Sequence, residues 1–212
     1  MRTRTWADDL FSRLGLPREL MPELVVPGTA LGELKPAMQK ELGLGPVRVL
    51  APASHDTASA VAGTPLEPGW AYVSSGTWSL VGIERESPLV NDAVARANFT
   101  NEGGVFGTIR FLKNQMGLWI LEQCRAEWAE SGLPTDYEEL LAAVASLDDV
   151  PGLLYPDHPR FFNPGSMISE VQGALVEGGQ EAIEEPARLA KAVLDSLAFR
   201  YASVVGTIEE LT

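Results

Sequence analysis

An aspartate that follows an apolar run is the first candidate for chemistry in this chain. The run Val47-Arg48-Val49-Leu50-Ala51 is typical of a short buried strand, and His55 and Asp56 follow it, ahead of small residues that favour a helix. A carboxylate at such a junction lies at the sheet edge where α/β folds bind ligands. Asp56 could there take a proton from a substrate hydroxyl that attacks phosphorus. Capping the helix is the commoner role for such an aspartate, and the pattern leaves both roles open.

The two histidines are weaker candidates for a functional role. His55 could hydrogen-bond a polar substrate beside Asp56, although a single histidine is more often structural. His158 lies in a charged loop and is expected at the surface.

A second polar cluster, Ser74-Ser75-Gly76-Thr77, lies between two β-rich runs. This arrangement predicts a hairpin in which Gly76 takes the flexible turn position. Backbone N–H groups around a glycine, together with hydroxyls, suit anionic oxygens, so the cluster could bind phosphate. An ordinary hairpin turn is the commoner role for such a cluster, and the pattern alone leaves both roles open. It is not a Walker A loop, because the chain has no Gly-Lys-Ser or Gly-Lys-Thr sequence.

Lys113 and Asn114 lie at a predicted junction between a strand and a helix that starts near Gln115. The Asn114 amide and the helix N-terminus could both point towards phosphate. The alternative is that Asn114 is an ordinary N-cap residue.

Composition limits the class of partner. The 212 residues carry a formal net charge of −13, which argues against nucleic acid or an anionic membrane as a partner. The single cysteine, Cys124, excludes an internal disulfide framework and suits a reducing compartment. Without a run of about 20 apolar residues or a signal-peptide pattern, the sequence predicts a cytoplasmic protein. No His/Cys cluster has metal-ligand spacing, so no protein metal site is predicted.

The elements that must position these residues predict an α/β protein. Two hairpins are expected after residue 69, followed by a helix from about Gln115 to Glu130. A long helix from Pro186 to about Leu211 places apolar residues on one face, at Leu189, Val193, Leu197, Tyr201, Val205 and Ile208. A Pro/Gly-rich break at residues 64–69 is the best candidate for a domain boundary.

Four motifs, in this order, resemble the FGGY family of carbohydrate kinases, and within it the rhamnulokinases. They are Ser54-His55-Asp56-Thr57-Ala58-Ser59-Ala60-Val61, Tyr72-Val73-Ser74-Ser75-Gly76-Thr77-Trp78-Ser79-Leu80, Asn98-Phe99-Thr100-Asn101-Glu102-Gly103-Gly104 and Leu112-Lys113-Asn114-Gln115-Met116-Gly117-Leu118-Trp119.

The resemblance implies an α/β, actin-like or RNase H-like ATPase fold of two domains around a cleft. Residues 1–66 would be the C-terminal part of the FGGY N-terminal domain, and residues 67–212 an incomplete FGGY C-terminal domain. The family's Asp-x-Gly phosphate hairpin and Gly-Gly-Gly adenosine turn do not occur in the sequence, and family members are longer. We therefore expect a fragment that lacks both ends and has little activity alone.

The resemblance also implies roles for residues near the sugar. Asp56 matches the catalytic base, which would deprotonate the C1 hydroxyl of L-rhamnulose. His55 and Thr57 match positions that flank it at the sugar.

On the nucleotide side, the resemblance implies ATP and Mg²⁺ as cofactors. Thr77, with Gly76 beside it, matches the phosphate contact of the hairpin, and Asn114 matches a further ATP-site position. Relatives tend to carry glutamine where this chain has Glu122, and a carboxylate there would add negative charge near the polyphosphate.

Three functions follow from these observations. The first is a sugar kinase that phosphorylates L-rhamnulose at O1 with ATP, acting on small molecules and on neither nucleic acid nor membranes. The second is an FGGY kinase for another ketose or polyol. The third is a non-catalytic actin-like module that binds a partner or a nucleotide. The oligomeric state is not predicted.

Overall fold

The computed structural model describes residues 3–53, 55–133 and 136–212. The chain divides into two compact units. Unit 1 consists of residues 1–70 and 83–112, and unit 2 consists of residues 71–82 and 113–212.

Helices and strands mix along the described chain, which confirms the predicted α/β class. The helices are α1 (Asp8–Leu14), α2 (Pro36–Leu42), α3 (Asp56–Gly63), α4 (Asp92–Arg96), α5 (Trp119–Glu130), α6 (Tyr137–Ala145), α7 (Met167–Glu177) and α8 (Pro186–Leu211). The strands are β1 (Ala30–Glu33), β2 (Arg48–Leu50), β3 (Tyr72–Ser75), β4 (Trp78–Arg85), β5 (Thr100–Gly103) and β6 (Ile109–Met116). Single 3₁₀ turns occur at Arg18–Leu20 and Pro159–Phe161.

In unit 1, β1 and β2 form an antiparallel two-stranded ribbon, with Ala30 opposite Leu50 and Gly32 opposite Val49. The strand predicted at residues 47–51 is therefore present, but the prediction that it is buried is wrong. Val49 and Leu50 are 39% and 53% exposed. Neighbouring residues of a strand point to opposite faces, so neither face of the ribbon is covered within the described part of the chain.

The first predicted hairpin is confirmed by β3 and β4. Ser75 pairs with Ser79, which leaves Gly76, Thr77 and Trp78 between the paired residues, and Gly76 and Thr77 lie outside both strands. The Gly76 N–H donates to the carbonyl of Trp78 at 2.9 Å. Gly76 does not have a positive φ, so it does not supply the left-handed conformation usual for hairpin glycines.

The second predicted hairpin is formed by β5 and β6, with Gly103 opposite Ile109. The four strands are ordered β3-β4-β6-β5, so β6 has a neighbour on both sides. The strand β6 continues to Met116, beyond the residues that pair with β5, and α5 begins only at Trp119. The predicted helix start near Gln115 is therefore wrong by about one turn.

The core of unit 2 surrounds α8. This helix begins at Pro186, as predicted, and the Glu185 carboxylate caps it by accepting the N–H groups of Ala187 and Arg188 at 3.0 and 2.8 Å. Its predicted apolar face is largely buried and packs with α5 and α6, while α5 also packs with α7. Fully buried residues of this core include Ile120, Leu121, Cys124, Val171, Leu175, Leu189 and Val193. Among the residues that the structure describes, no helix combines the length and apolar character needed to cross a bilayer.

Leu197→Ala should lower the free energy of unfolding by about 2–5 kcal/mol, because it leaves a cavity at a side chain that is 2% exposed. Urea unfolding followed by circular dichroism measures the loss. The control on the same helix is Phe199→Ala, where the side chain is 60% exposed and we expect a change within about 0.5 kcal/mol. Equal losses in the two variants would contradict the buried face assigned to α8.

Burial raises the pKa of the Cys124 thiol to about 12, and the nearby Glu127 charge adds to the shift. The folded thiol therefore stays protonated at pH 8, whereas an unfolded cysteine has a pKa of about 8.5. We expect an aromatic disulfide reagent to react at least about 100-fold more slowly with the folded chain than with the chain in guanidinium. Because the folded pKa is raised, the stability contributed by the protonated thiol is intact below pH 8.5 and declines as pH rises towards 12. Equal thiol reactivity of folded and unfolded chain would contradict this assignment.

Candidate active site

Asp56 is the first residue of α3, in unit 1. Its side chain is 95% exposed, and its Oδ1 accepts the backbone N–H of Thr57 at 2.6 Å. The other oxygen, Oδ2, has no hydrogen-bond partner among the described residues, which do not include Ser54. One oxygen of the carboxylate is thus anchored while the other is open to a substrate.

The N-cap of α3 is His55, so the capping position considered for Asp56 belongs to its neighbour. Nδ1 of His55 lies 3.1 Å from Oδ1 of Asp56 and 3.2 Å from the backbone nitrogen of Thr57. One ring nitrogen cannot donate and accept at once. Because the Thr57 N–H is closer to Asp56, we assign the Nδ1 proton to the contact with the carboxylate, which avoids placing two acceptors face to face.

Thr57 is buried, unlike its two neighbours, with 5% of its surface exposed. Its hydroxyl lies 3.4 Å from Oδ1 of Asp56. The side chain is therefore placed to support the carboxylate, and its predicted contact with a sugar stays a prediction.

In unit 2, the hairpin turn is fastened to the start of α5 by backbone hydrogen bonds. The carbonyl of Gly76 accepts the Leu118 N–H at 2.7 Å, and the carbonyl of Thr77 accepts the N–H groups of Gly117 and Trp119 at 3.2 and 3.3 Å. These three N–H groups are engaged within the chain and are not free to bind phosphate. The possibility that the N-terminus of this helix points towards phosphate is therefore not supported at these three groups.

Gly117 makes this close approach possible. A Cβ at this position would overlap the Gly76 carbonyl oxygen and would lie 2.7 Å from Oγ of Ser79. The sequence did not single out Gly117, although it lies inside the fourth motif.

Thr77 is exposed at the tip of the hairpin. Its carbonyl faces α5, whereas its N–H and hydroxyl have no hydrogen-bond partner among the described residues. Two donors are therefore available for an anionic ligand, as the sequence predicted for a phosphate-binding turn.

Asn114 lies within β6, five residues before α5 begins, and the N-cap of α5 is Leu118. Both the junction position and the alternative N-cap role predicted for Asn114 are therefore wrong. Its side chain is exposed and makes no hydrogen bond to another described residue, so it remains available for a ligand.

Glu122 lies in the first turn of α5 and is paired with Arg125, whose Nη1 lies 3.0 and 3.2 Å from its two carboxylate oxygens. The Arg125 guanidinium also covers the ring of Tyr137, 3.6 Å from its centroid. The pair has no net charge, which reduces the repulsion that a lone carboxylate would exert on a polyphosphate.

A polar cluster beside β6 is absent from the sequence-based prediction. Asp157 accepts the Met116 N–H at 2.9 Å through Oδ1 and the Arg200 Nε–H at 2.7 Å through Oδ2. Burial lowers the pKa of Lys113, as does the nearby Arg200 charge, while Asp157 acts in the opposite direction. No spacing rule links these residues, which lie more than 40 positions apart.

A cavity of about 640 Å³ occurs within unit 1, and none of the predicted site residues lines it. The Arg4 guanidinium donates across it to the carbonyl of Gly107 at 3.2 Å. Its walls are mostly apolar and include Leu24, Val25, Val26, Pro27 and Phe106.

Residues 71–212 match the sequence profile of the FGGY family of carbohydrate kinases, C-terminal domain. The whole chain is also similar to curated relatives named rhamnulokinase. It is 39% identical to the protein of Bacteroides thetaiotaomicron over 99% of this chain and 43% of that protein. It is 41% identical to the protein of Pectobacterium carotovorum over 100% of this chain and 41% of that protein. The chain thus spans about two fifths of the length of these relatives.

Solved structures show the same fold at low sequence identity. The xyloylose kinase from Brucella ovis superposes with a TM-score of 0.66 at 20% identity, over 99% of this chain and 42% of that one. The xylulose kinase from Rhodospirillum rubrum superposes with a TM-score of 0.62 at 16% identity, over 96% of this chain and 40% of that one. The actin-like fold predicted for the chain is therefore confirmed, and the predicted boundary after residue 66 stays a prediction.

Gly117→Ala should destabilise unit 2 by about 1–3 kcal/mol, because the added methyl group displaces the hairpin turn from α5. Urea unfolding measures the change. The control is Gly206→Ala in α8, where a Cβ meets nothing within 4 Å and should raise stability by about 0.5–1 kcal/mol through helix propensity. A Gly117→Ala chain as stable as the unmodified chain would show that the turn is not fixed in this way.

Proposed function

Because this chain belongs to the FGGY family of carbohydrate kinases, we propose that the whole protein transfers the γ-phosphoryl group of ATP to O1 of L-rhamnulose. The observation that carries the proposal is the Asp56 carboxylate, anchored through one oxygen and open at the other. The choice of sugar is supported by the relatives named rhamnulokinase.

Asp56 is the proposed base. As O1 attacks the γ-phosphorus, a new O–P bond forms, the bond to the β,γ-bridging oxygen breaks, and ADP leaves with that electron pair. The O1 proton moves to Oδ2 of Asp56. Phosphoryl transfer demands position and negative charge of its base more than strong basicity, which suits a carboxylate held by its own helix start.

His55 and Thr57 are proposed to assist at the sugar in different ways. With the Nδ1 proton directed at Asp56, the other ring nitrogen of the half-exposed His55 is an acceptor for a sugar hydroxyl. The buried Thr57 keeps the carboxylate in place through its backbone N–H.

Thr77 is proposed to bind the phosphates of ATP through its N–H and hydroxyl, with Gly76 leaving room for close approach. Asn114 would donate its side-chain amide to the same nucleotide. Glu122 is proposed to act at the ATP site as a neutral pair with Arg125.

Mg²⁺ is the proposed metal, and it would neutralise phosphate charge when bound. No group of three or more His, Cys, Asp or Glu residues within residues 3–53, 55–133 and 136–212 is arranged to hold a metal ion. Kinases hold Mg²⁺ largely through the substrate phosphates and one or two carboxylates, so such a group is not required.

We also propose that residues 1–66 belong to the N-terminal domain of the kinase and residues 67–212 to its C-terminal domain. The family match from residue 71 onwards supports this division. We further propose that the kinase acts in the cytoplasm on ATP and a free sugar. This proposal requires no macromolecular substrate.

Asp56→Asn should lower kcat about 100- to 10,000-fold, because the amide cannot accept the hydroxyl proton. The measurement is a coupled ADP-release assay with L-rhamnulose on a chimera of the Bacteroides thetaiotaomicron relative in which these 212 residues replace the matched segment. KM for ATP should change only a few-fold, since Asp56 is assigned to the sugar.

The matched control is Asp92→Asn, at the start of α4, which is also exposed. Its kcat should equal that of the unmodified chimera. If Asp56→Asn keeps activity within a few-fold, Asp56 is not the base. If the chimera prefers another ketose or a polyol, the sugar assignment fails while the kinase assignment stands.

A further inference from the structure

Asp157 is a largely buried carboxylate that accepts a hydrogen bond on each of its two oxygens. Oδ1 accepts the backbone N–H of Met116, at the end of β6, at 2.9 Å. Oδ2 accepts the Nε–H of Arg200, on α8, at 2.7 Å. The Asp157 side chain is 19% exposed and the Arg200 side chain 15%. Within unit 2, this single carboxylate therefore joins the end of a strand to a helix.

Met116 is directly followed by the residues that fix the hairpin turn. The N–H groups of Gly117 and Leu118 donate to the two carbonyls of the turn at 3.2 and 2.7 Å. Three consecutive backbone N–H groups therefore have fixed acceptors, the first on Asp157 and the next two on the turn. Because neighbouring planar peptide units share a Cα atom, a change in the direction of the Met116 N–H also turns the donors that hold the hairpin.

The helix α8 also holds the other strand at the turn. Tyr201 follows Arg200 in sequence, and its hydroxyl lies 2.8 Å from the hydroxyl oxygen of Ser79, near the start of β4. The Arg200 guanidinium carbon lies 5.3 Å from the ring centroid of Tyr155, a contact that favours its position. Consecutive residues of α8 thus hold β4 directly and β6 through Asp157.

We propose that Asp157 is a positioning residue for the nucleotide, because it sets the direction in which Thr77 and Asn114 present their donors to ATP. Thr77 belongs to the turn that the donors after Met116 hold. Asn114 lies two residues before Met116, on the same face of β6. The inference rests on the proposed function, which assigns Thr77 and Asn114 to ATP. Asp157 acts through the backbone of β6.

A carboxylate is needed at this position because both of its neighbours are donors. Asparagine has nearly the same shape, but its amide offers one acceptor oxygen and an NH₂ donor. In Asp157→Asn the oxygen should turn to Arg200, because the charged guanidinium is the stronger donor. The Met116 N–H then faces a second donor. The end of β6 loses its acceptor while the size of the side chain stays the same.

The first test measures the substrate dependence of the chimera in which Asp56→Asn is assayed. Asp157→Asn should raise KM for ATP at least about 10-fold, because one backbone hydrogen bond is lost. KM for L-rhamnulose should stay within about two-fold, since the sugar is assigned to Asp56 in unit 1. The coupled ADP-release assay gives both values when each substrate is varied in turn.

The matched control is Asp149→Asn. This substitution removes the same charge from another pair with α8, in which Asp149 lies 2.6 Å from Arg188. Asp149 has no bond to β6 among the contacts of the described residues. KM for ATP should therefore stay within about two-fold of that of the unmodified chimera.

A rescue separates positioning from stability. Arg200→Met removes the second donor and leaves the bond from Met116 to Asp157, so KM for ATP should stay within about two-fold. In the double variant of Asp157→Asn and Arg200→Met, the amide oxygen is free to accept the Met116 N–H. Its KM for ATP should return to within about three-fold of the unmodified value. A merely structural ion pair predicts a double variant no better than Asp157→Asn.

Amide hydrogen exchange of the 212-residue chain gives a readout that needs no activity. The N–H groups of Gly117 and Leu118 should exchange at least about 10-fold faster in Asp157→Asn, because the donors that hold the turn are loosened. The double variant should restore their protection. NMR of the ¹⁵N-labelled chain measures both groups, and the melting temperature of each variant shows that it is folded.

Four results would overturn the inference in an active chimera or in the chain itself. They are an unchanged KM for ATP in Asp157→Asn, an equal rise in Asp149→Asn, no rescue by Arg200→Met, and unchanged exchange of the two amides. An unmodified chimera that transfers no phosphoryl group contradicts the proposed function, and this inference with it. An active chimera with an unchanged KM for ATP contradicts only the role of Asp157.

Discussion

Backbone hydrogen bonds between the β3–β4 turn and the start of α5 are the contact on which the candidate phosphate-binding residues depend. Three N–H groups donate to two adjacent carbonyls, so the hairpin tip takes its position from the helix. Ser79, two residues beyond the turn, also bonds through its hydroxyl to that of Tyr201 on α8 at 2.8 Å. The turn, α5 and α8 are thus held together. Because the peptide between Gly76 and Thr77 is trans, the Thr77 N–H points away from the Gly76 carbonyl that bonds to the start of α5.

Acidic side chains make several of the contacts that hold unit 2 in shape. Asp136 caps α6, Glu185 caps α8, and Glu127 accepts both the Ser166 hydroxyl and the Met167 N–H at the start of α7. Asp157 bonds the end of β6 and α8 together. A carboxylate at a helix N-terminus satisfies N–H groups that lack partners and complements the helix dipole. Several of the acidic side chains of this protein therefore accept hydrogen bonds from its own backbone N–H groups.

Local signals made the hairpins and α8 predictable, because turn residues, period-two alternation and a first-turn proline act within a few residues. The position of Asp56 at a helix start was predictable for the same reason, and the order of four motifs suggested its role. The burial of β2 was not predictable, because it depends on what covers the strand. The start of α5 was not predictable either, because β6 is an inner strand of the sheet and continues to Met116. Asp157 and Gly117 escaped prediction because their partners lie about 40 positions away along the chain.

The uncovered ribbon also affects how the stability of this chain changes with temperature. The heat-capacity change on unfolding increases with the apolar surface area that unfolding exposes to water. Side chains that are already exposed in the folded chain add little to this change. Residues 3–53 therefore contribute chain entropy to unfolding but little curvature to the dependence of stability on temperature. They add equally little to its dependence on denaturant. For its length, the chain should therefore show a small heat-capacity change on unfolding, because most of its buried apolar side chains lie in unit 2.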